Sequence, residues 1–267
     1  MDFKDSRTNL YGFKNEKGKV IVSPMYSNVK FNPDYGTWDV QKDSLFGFYS
    51  REGKLILNPA YKFIELNQNL YQSFIVVSKD KNKFGLMDLN GSKILDLKYP
   101  KILDFRKNLL LVCEYNGDNV INKVIIDTAQ NTILDSKVIH AEVYGFVEDN
   151  PEKDTVIFIQ AIKNDKIAVF AGNGRQISEF VFDGLCRSRG RLIQGCMAHN
   201  SRQCGIIDEN NKVIIPFIYI FAGVFDSGTI RADTEKDEHF YFNSEGKLIS
   251  EKEFKKENVN HPYWGND

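Results

Sequence analysis

Seven isoleucines stand in one register along the chain, at Ile21, Ile56, Ile94, Ile133, Ile177, Ile214 and Ile249. Their separations are 35, 38, 39, 44, 37 and 35 residues. Three residues before each lies a turn position, filled by Gly18, Gly53, Gly91, Gln130, Gly174, Asn211 and Gly246. Five residues after each comes a large apolar residue: Tyr26, Tyr61, Tyr99, Val138, Phe182, Tyr219 and Phe254. Constant spacing inside a unit, with variable spacing between units, is the mark of tandem repeats. A unit this short cannot bury its own apolar face, so its neighbours must stack against it.

Each unit reads as a β-hairpin. A short apolar strand such as GIID leads to a polar turn opener: Asn15, Ser50, Asp88, Asp127, Asp208 or Asn243, with Ala171 the exception. Such side chains bond the backbone amide two residues on. A second strand such as KLILNP follows, and Pro24, Pro59 and Pro216 are expected to end it. The seven hairpins span 11–26, 46–61, 84–99, 123–138, 167–182, 204–219 and 239–254, which leaves a short tail at 255–267. Between hairpins lie further paired apolar runs, among them TWDVQKD at 37–43 and SFIVVSKD at 73–80. Alternation and short length both indicate strands, and no segment carries a helical period.

The pattern aromatic-Gly-x-[IVF]-[DN]-x-x-G-K-x-[VI]-I-x-P-x-Y resembles the bacterial WG repeat, also called the KWG repeat, over about residues 11–254. The tryptophan of that name is replaced by Tyr11, Phe46 and Phe84 in the cleaner repeats and by Lys123, Ile167, Cys204 and His239 elsewhere. Val124, Ala168 and Phe240 stand where the anchor glycine belongs. The resemblance implies a β-rich tandem array that serves as an interaction module. About four short strands per unit match a propeller blade. The expectation is one all-β repeat domain over 1–267, a propeller-like array of six or seven units, with an open β-solenoid as the alternative. The ten residues before the first anchor are available to supply a missing strand.

Composition narrows the function classes. A formal net charge of −1 gives no overall pull toward nucleic acid or anionic membrane. No apolar run approaches the ~18 residues needed to span a bilayer, and the N-terminal MDFKDSRTNLYGF has no signal-like apolar stretch. A cytoplasmic protein is expected, with Cys113, Cys186, Cys196 and Cys204 as reduced thiols.

Candidate chemistry reduces mostly to turns. Gly47-x5-Gly53-Lys54 looks like a phosphate loop, but Leu55 replaces the required Ser or Thr and a strand follows where a helix should. Gly18-Lys19 and Gly246-Lys247 repeat it, so it is a hairpin turn. Asp88, Asp127 and Asp208 share their position with Asn and Ser, which marks them as turn caps rather than catalytic acids. Cys196-x2-His199-x4-Cys204 has donors that zinc accepts at an unusual spacing. No catalytic residue, metal or cofactor is assigned. The loop EDNPEKD at 148–154 accounts for the longest repeat separation. Trp38 is assigned to the core.

The feature that least resembles a repeat position is CRSRGR. Arg187, Arg189 and Arg191 are spaced by two, so a strand would present them on one face, with Arg202 near in sequence. They are the candidate contact patch for an acidic protein surface, with nucleic acid behind it. The function expected is a non-catalytic scaffold for macromolecular, chiefly protein, recognition. The alternatives are a hydrolase with a central or axial pocket, such as a carbohydrate-active one, and the recognition subunit of a sensor–effector pair.

Overall fold

The computed structural model describes residues 1–68, 73–116, 119–147, 156–199 and 201–259. It is all-β, with seven small antiparallel sheets in succession and two short helices. The first sheet holds β1 (Asp2–Lys4), β2 (Tyr11–Lys14) and β3 (Val20–Tyr26). The second holds β4 (Asn28–Asn32), β5 (Thr37–Lys42), β6 (Leu45–Ser50) and β7 (Leu55–Tyr61). The third holds β8 (Phe63–Gln68), β9 (Ser73–Ser78), β10 (Phe84–Met87) and β11 (Lys93–Tyr99). The fourth holds β12 (Lys101–Arg106), β13 (Leu109–Asn116), β14 (Asn119–Asp127) and β15 (Thr132–Asp135). After α1 (Ser136–Ile139), the fifth holds β16 (Glu142–Phe146), β17 (Phe158–Lys163) and β18 (Lys166–Ala171). The sixth holds β19 (Arg187–Arg189), β20 (Leu192–His199), β21 (Ser201–Asp208) and β22 (Val213–Tyr219). The seventh holds β23 (Phe221–Val224), β24 (Ile230–Asp233), β25 (His239–Phe242) and β26 (Leu248–Ile249), and α2 (Glu251–Glu257) follows it.

Within every sheet, chain neighbours are sheet neighbours. A full sheet takes two strands from the connection after one hairpin and two from the next hairpin, so the sheets are phased half a unit from the sequence repeat. In the first sheet β1 pairs with β2, so the ten residues before the first anchor do supply a strand.

The chain divides into two compact units, residues 1–122 with 128–130, and residues 123–127 with 131–267. In the first unit, the first and second sheets share a core of Phe13, Val22, Tyr26, Val29, Trp38, Val40 and Tyr49. Trp38 lies stacked on Phe13 with ring centroids 4.5 Å apart, as a core residue should. Phe48, Leu57, Ile75, Val77 and Met87 join the second sheet to the third. In the second unit, Phe158, Val169, Phe182, Ile193 and Ile207 build one core between the fifth and sixth sheets. Leu192, Ile206, Ile215, Ile230 and Ala232 build the next, between the sixth and seventh.

The turn openers cap as expected. Asp88 Oδ1 accepts hydrogen bonds from the amides of Asn90 and Ser92, and Asp208 Oδ1 accepts from those of Asn210 and Lys212. The turn glycine then meets the preceding repeat. A Cβ on Gly91 would lie 2.3 Å from the carbonyl oxygen of Ile56, and one on Gly246 would lie 2.5 Å from that of Ile214. Gly91 also has φ +83°, so both backbone conformation and contact demand glycine there. Gln130 takes the position at φ 67° and reaches the neighbouring repeat differently, its Nε2 donating to Asp96 Oδ2 at 3.2 Å. Ile21, Ile56, Ile133 and Ile214, which meet the next turn glycine in this way, are half-buried, and Ile177 is buried.

The anchor glycine has a separate role. In the second sheet Phe46 pairs with Tyr61 and Phe48 with Leu57, so Gly47 alone faces Asn58, Pro59 and Ala60. That bulged outer strand presses so close that a Cβ on Gly47 would lie 2.4 Å from the Leu57 oxygen and 2.6 Å from the Pro59 nitrogen. Gly12, Gly85 and Gly205 face the same approach in their sheets. These four repeats carry outer strands of seven residues each: β3, β7, β11 and β22. Where Val124 or Phe240 replaces the glycine, the outer strand shrinks to four residues in β15 and two in β26, and a helix takes over. At Ala168 only the bridges Ile167–Phe182 and Phe170–Gln176 form.

Several sequence expectations need correction. The prolines do not end the second strand: Pro24, Pro59 and Pro216 lie inside β3, β7 and β22. They are tolerated because each strand is the edge of its sheet, where a missing donor breaks no ladder. Two helices occur where none was expected. Val138, assigned a packed position, sits in α1 at 74% exposure, whereas Phe254 in α2 is fully buried against Tyr241 and Phe225.

Candidate binding surfaces

The arginines do not share one strand face. Arg187 and Arg189 lie on β19, while Arg191 belongs to the two-residue turn, with Gly190, that joins Arg189 to its partner Leu192. Carboxylates of the same unit meet them. Arg189 reaches Asp226 at 3.5 Å, and Arg191 pairs with Glu209, whose backbone oxygen also accepts from Arg175 Nη2 at 2.8 Å. Beside Arg191 opens a groove of about 460 Å³ lined by Lys212, Lys247, Asp208, Glu209 and Glu245. Its lining holds three cations, Arg191, Lys212 and Lys247, and three carboxylates, so it carries no net formal charge. Arg202 lies on β21 opposite Ala198; its side chain falls outside what the structure describes. The loop 148–154 lies outside the described residues altogether.

The cysteines depart from expectation. Cys196 and Cys204 face each other across β20 and β21, with Cα atoms 4.0 Å apart, and form a disulfide. The hairpin pairs residues whose numbers sum to 400, which places these two opposite one another. Neither is therefore a free metal ligand, and the expectation of four reduced thiols fails here. Cys113 and Cys186 are buried thiols, and burial pushes the Cys186 thiol up to about 12. Among the described residues, no three His, Cys, Asp or Glu side chains converge as a metal site.

Perturbed carboxylates are also scattered. Burial lifts Asp39 on β5 above the ordinary carboxylate range, opposed by a hydrogen bond from Thr37 Oγ1 at 3.2 Å. Asp80 and Asp5 are lowered by backbone amides that donate to them, as turn caps are.

A surface pattern that the sequence reading missed is the recurrence of exposed apolar side chains at fixed repeat positions. Immediately before the register isoleucine stand Val20, Leu55, Val213 and Leu248, all exposed. Immediately before the packed aromatic stand Met25, Val181 and Ile218, also exposed, with Ile218 at 67%. On β3, β7 and β22 these positions point away from the sheet-to-sheet core. The signal was present in the sequence as hydrophobic residues one place out of register with the core.

A second missed feature lies in the first unit. A cavity of about 360 Å³ opens among Phe63, Phe74, Phe84 and Phe105, with Glu65 and Lys101 also lining it. Phe63 meets Phe84 edge-to-face at 5.5 Å, and Phe74 meets Phe105 likewise at 5.2 Å.

Comparison with known proteins follows this geometry. The family model described as WG containing repeat matches residues 11–45, 84–117 and 205–236. Each matched stretch starts at an anchor glycine or the residue before it, in repeats that keep the full outer strand. No curated protein matches the sequence. Among solved structures, a eukaryotic initiation factor is similar at 13% identity, covering 93% of this chain and 72% of that one, with a TM-score of 0.41. A puromycin hydrolase mutant complexed with PGG is similar at 8% identity, covering 90% of this chain and 49% of that one, with a TM-score of 0.34. The β-propeller domain of Swd1 from Myceliophteria thermophila is similar at 11% identity, covering 85% of each chain, with a TM-score of 0.31. At such identities nothing of their chemistry transfers to this chain.

Proposed function

We propose that this protein is a non-catalytic repeat scaffold that recognises another protein through the outward side chains of its outer strands. The observation that supports this is the register of exposed apolar residues, Val20, Leu55, Val213 and Leu248 with Met25 and Ile218. Scattered singly, such residues are ordinary on any surface. Recurring at the same repeat positions on β3 and β7 of the first unit, and on β22 and β26 of the second, they give each unit an apolar row that a partner can cover, at about 25 cal/mol per Å² of apolar surface removed from water.

The prolines shape the mode of contact. An edge strand offers unpaired backbone groups to any passing strand. Pro24, Pro59 and Pro216 remove donors from β3, β7 and β22 and so favour side-chain docking over strand addition. The arginine groove supports this reading less, because its charges are balanced within the unit. An enzyme would bring perturbed groups together in one pocket. Asp39 is raised by burial on β5, whereas the acids Asp88 and Asp208 are occupied as turn caps.

A cytoplasmic setting belongs to this proposal as well, and the Cys196–Cys204 bond weighs against it, because disulfides persist mainly in oxidising compartments. No helix among the described residues is long and apolar enough to cross a membrane. The recognition reading is tested by affinity capture from the native host with the full chain and with a Val213→Lys/Ile218→Lys variant. Loss of a specific partner from the variant, with an unchanged thermal melt, is expected. Equal capture by both chains would refute it.

A further inference from the structure

We propose that the phenylalanine-lined cavity of the first unit is a binding site for a free apolar α-amino acid. The inference stands apart from the recognition reading, since it concerns a cavity rather than the outer strands. The floor is apolar and fixed: Phe74 and Phe105 are buried, and Val76 and Ile102 complete it. Phe63 and Phe84 form an edge-to-face wall. At about 360 Å³ the cavity lies near the small end of the ~300–1,000 Å³ range of ligand sites, which suits one amino acid better than a peptide segment.

The charges select the ligand class. Asp104 is already engaged, accepting from the Phe105 amide at 2.7 Å and from Arg106 Nε at 3.3 Å. Glu65 on β8 and Lys101 on β12 line the same cavity from different sheets, and among the described residues neither side chain has a hydrogen bond or ion pair. An exposed anion and an exposed cation that line one apolar cavity without pairing to each other complement a zwitterion with an apolar body. The ligand's ammonium faces Glu65, its carboxylate faces Lys101, and its aromatic or branched aliphatic side chain enters among the four rings. Each charge-assisted contact is stronger than a neutral one and is lost when its partner is capped.

The test is calorimetric titration of the full chain with L-phenylalanine, L-leucine and L-tryptophan, then with N-acetyl-phenylalanine and phenylalaninamide. Saturable binding of at least one free amino acid is expected, weakened about tenfold or more by either cap. Glu65→Gln should weaken the free amino acid by a similar factor yet leave the N-acetyl form unchanged. Lys101→Gln should do the same with respect to the amide. Absence of saturable binding for all three amino acids would overturn the proposal. So would equal binding of free phenylalanine and both of its capped forms, which would make the cavity a dock for a partner's apolar side chain. A melting temperature unchanged in both variants ties their effects to binding.

Discussion

A Cβ on Gly47 would lie 2.4 Å from the carbonyl oxygen of Leu57, on the strand that closes the second sheet. That closeness explains the anchor glycine of the repeat better than any turn requirement does. The bulged outer strand crosses directly over the glycine and carries a proline at the crossing. Gly47→Ala must push β7 outward, at a cost on the order of 1–3 kcal/mol or more. Gly18→Ala meets no atom within 4 Å and carries only the strain of φ +77°, about 1–2 kcal/mol. Urea unfolding should rank Gly47→Ala as the more damaging, with a lowered m-value if the strand detaches. The reverse order would contradict the packing argument.

Tyr26 and Tyr49 share a hydrogen bond between buried hydroxyls at 2.6 Å. Burial first, then the bond to Tyr49, raises the Tyr26 pKa above that of an ordinary phenol. A group whose folded pKa is raised contributes stability that is complete below its unfolded pKa and declines above it. Stability should therefore fall as pH rises above about 10, and Tyr26→Phe should flatten that decline. At neutral pH the single variant leaves Tyr49 without this partner and costs about 1–3 kcal/mol. The Tyr26→Phe/Tyr49→Phe pair should cost less than the sum of its parts, as chemical denaturation of the double-mutant cycle will read.

The Cys196–Cys204 disulfide makes a direct prediction for thiol counting. Protein denatured without reductant should expose two titratable thiols, those of Cys113 and Cys186, and four after reduction. In the native state Cys186 should resist alkylation, since its thiol is buried and poorly ionised. Reduction should lower stability by about 2–3 kcal/mol, because the loop it closes is short.

The helix α2 depends on its first turn and one ring. Ser250 Oγ accepts from the Glu253 amide at 3.2 Å, and Glu253 accepts from the Ser250 amide at 2.8 Å. Ser250→Ala should cost about 1 kcal/mol. Phe254→Ala, which empties the space against Tyr241 and Phe225, should cost about 3–5 kcal/mol. A thermal melt that fails to separate the two would contradict this assignment.

What could be read from the sequence was what is local to it. The isoleucine register and the caps at Asp88 and Asp208 depend on residues within one turn, and both appear as read. The prolines were misread because an edge position is a property of the sheet, not of the segment. Phe254 was placed on a strand by its register, although Ser250-x-x-Glu253 is a helix-start signature in plain view. Val124, Ala168 and Phe240 were visible as departures from the motif. Their consequence, a shortened outer strand, follows from a backbone approach that no single repeat reveals. Arg191 was put on a strand face because Gly190-Arg191 was not read as a two-residue hairpin turn. The phenylalanine cavity draws on four strands, β8, β9, β10 and β12, and no linear pattern joins them.

The central structural claim is that the anchor glycine permits the full outer strand. Amide hydrogen exchange on Gly47→Val tests it most directly. Protection should vanish in Leu55–Tyr61 of β7 and in the β6 amides that face it, and persist in β5 and in the β6 amides bonded to β5. Unchanged protection of β7 in that variant would contradict the account.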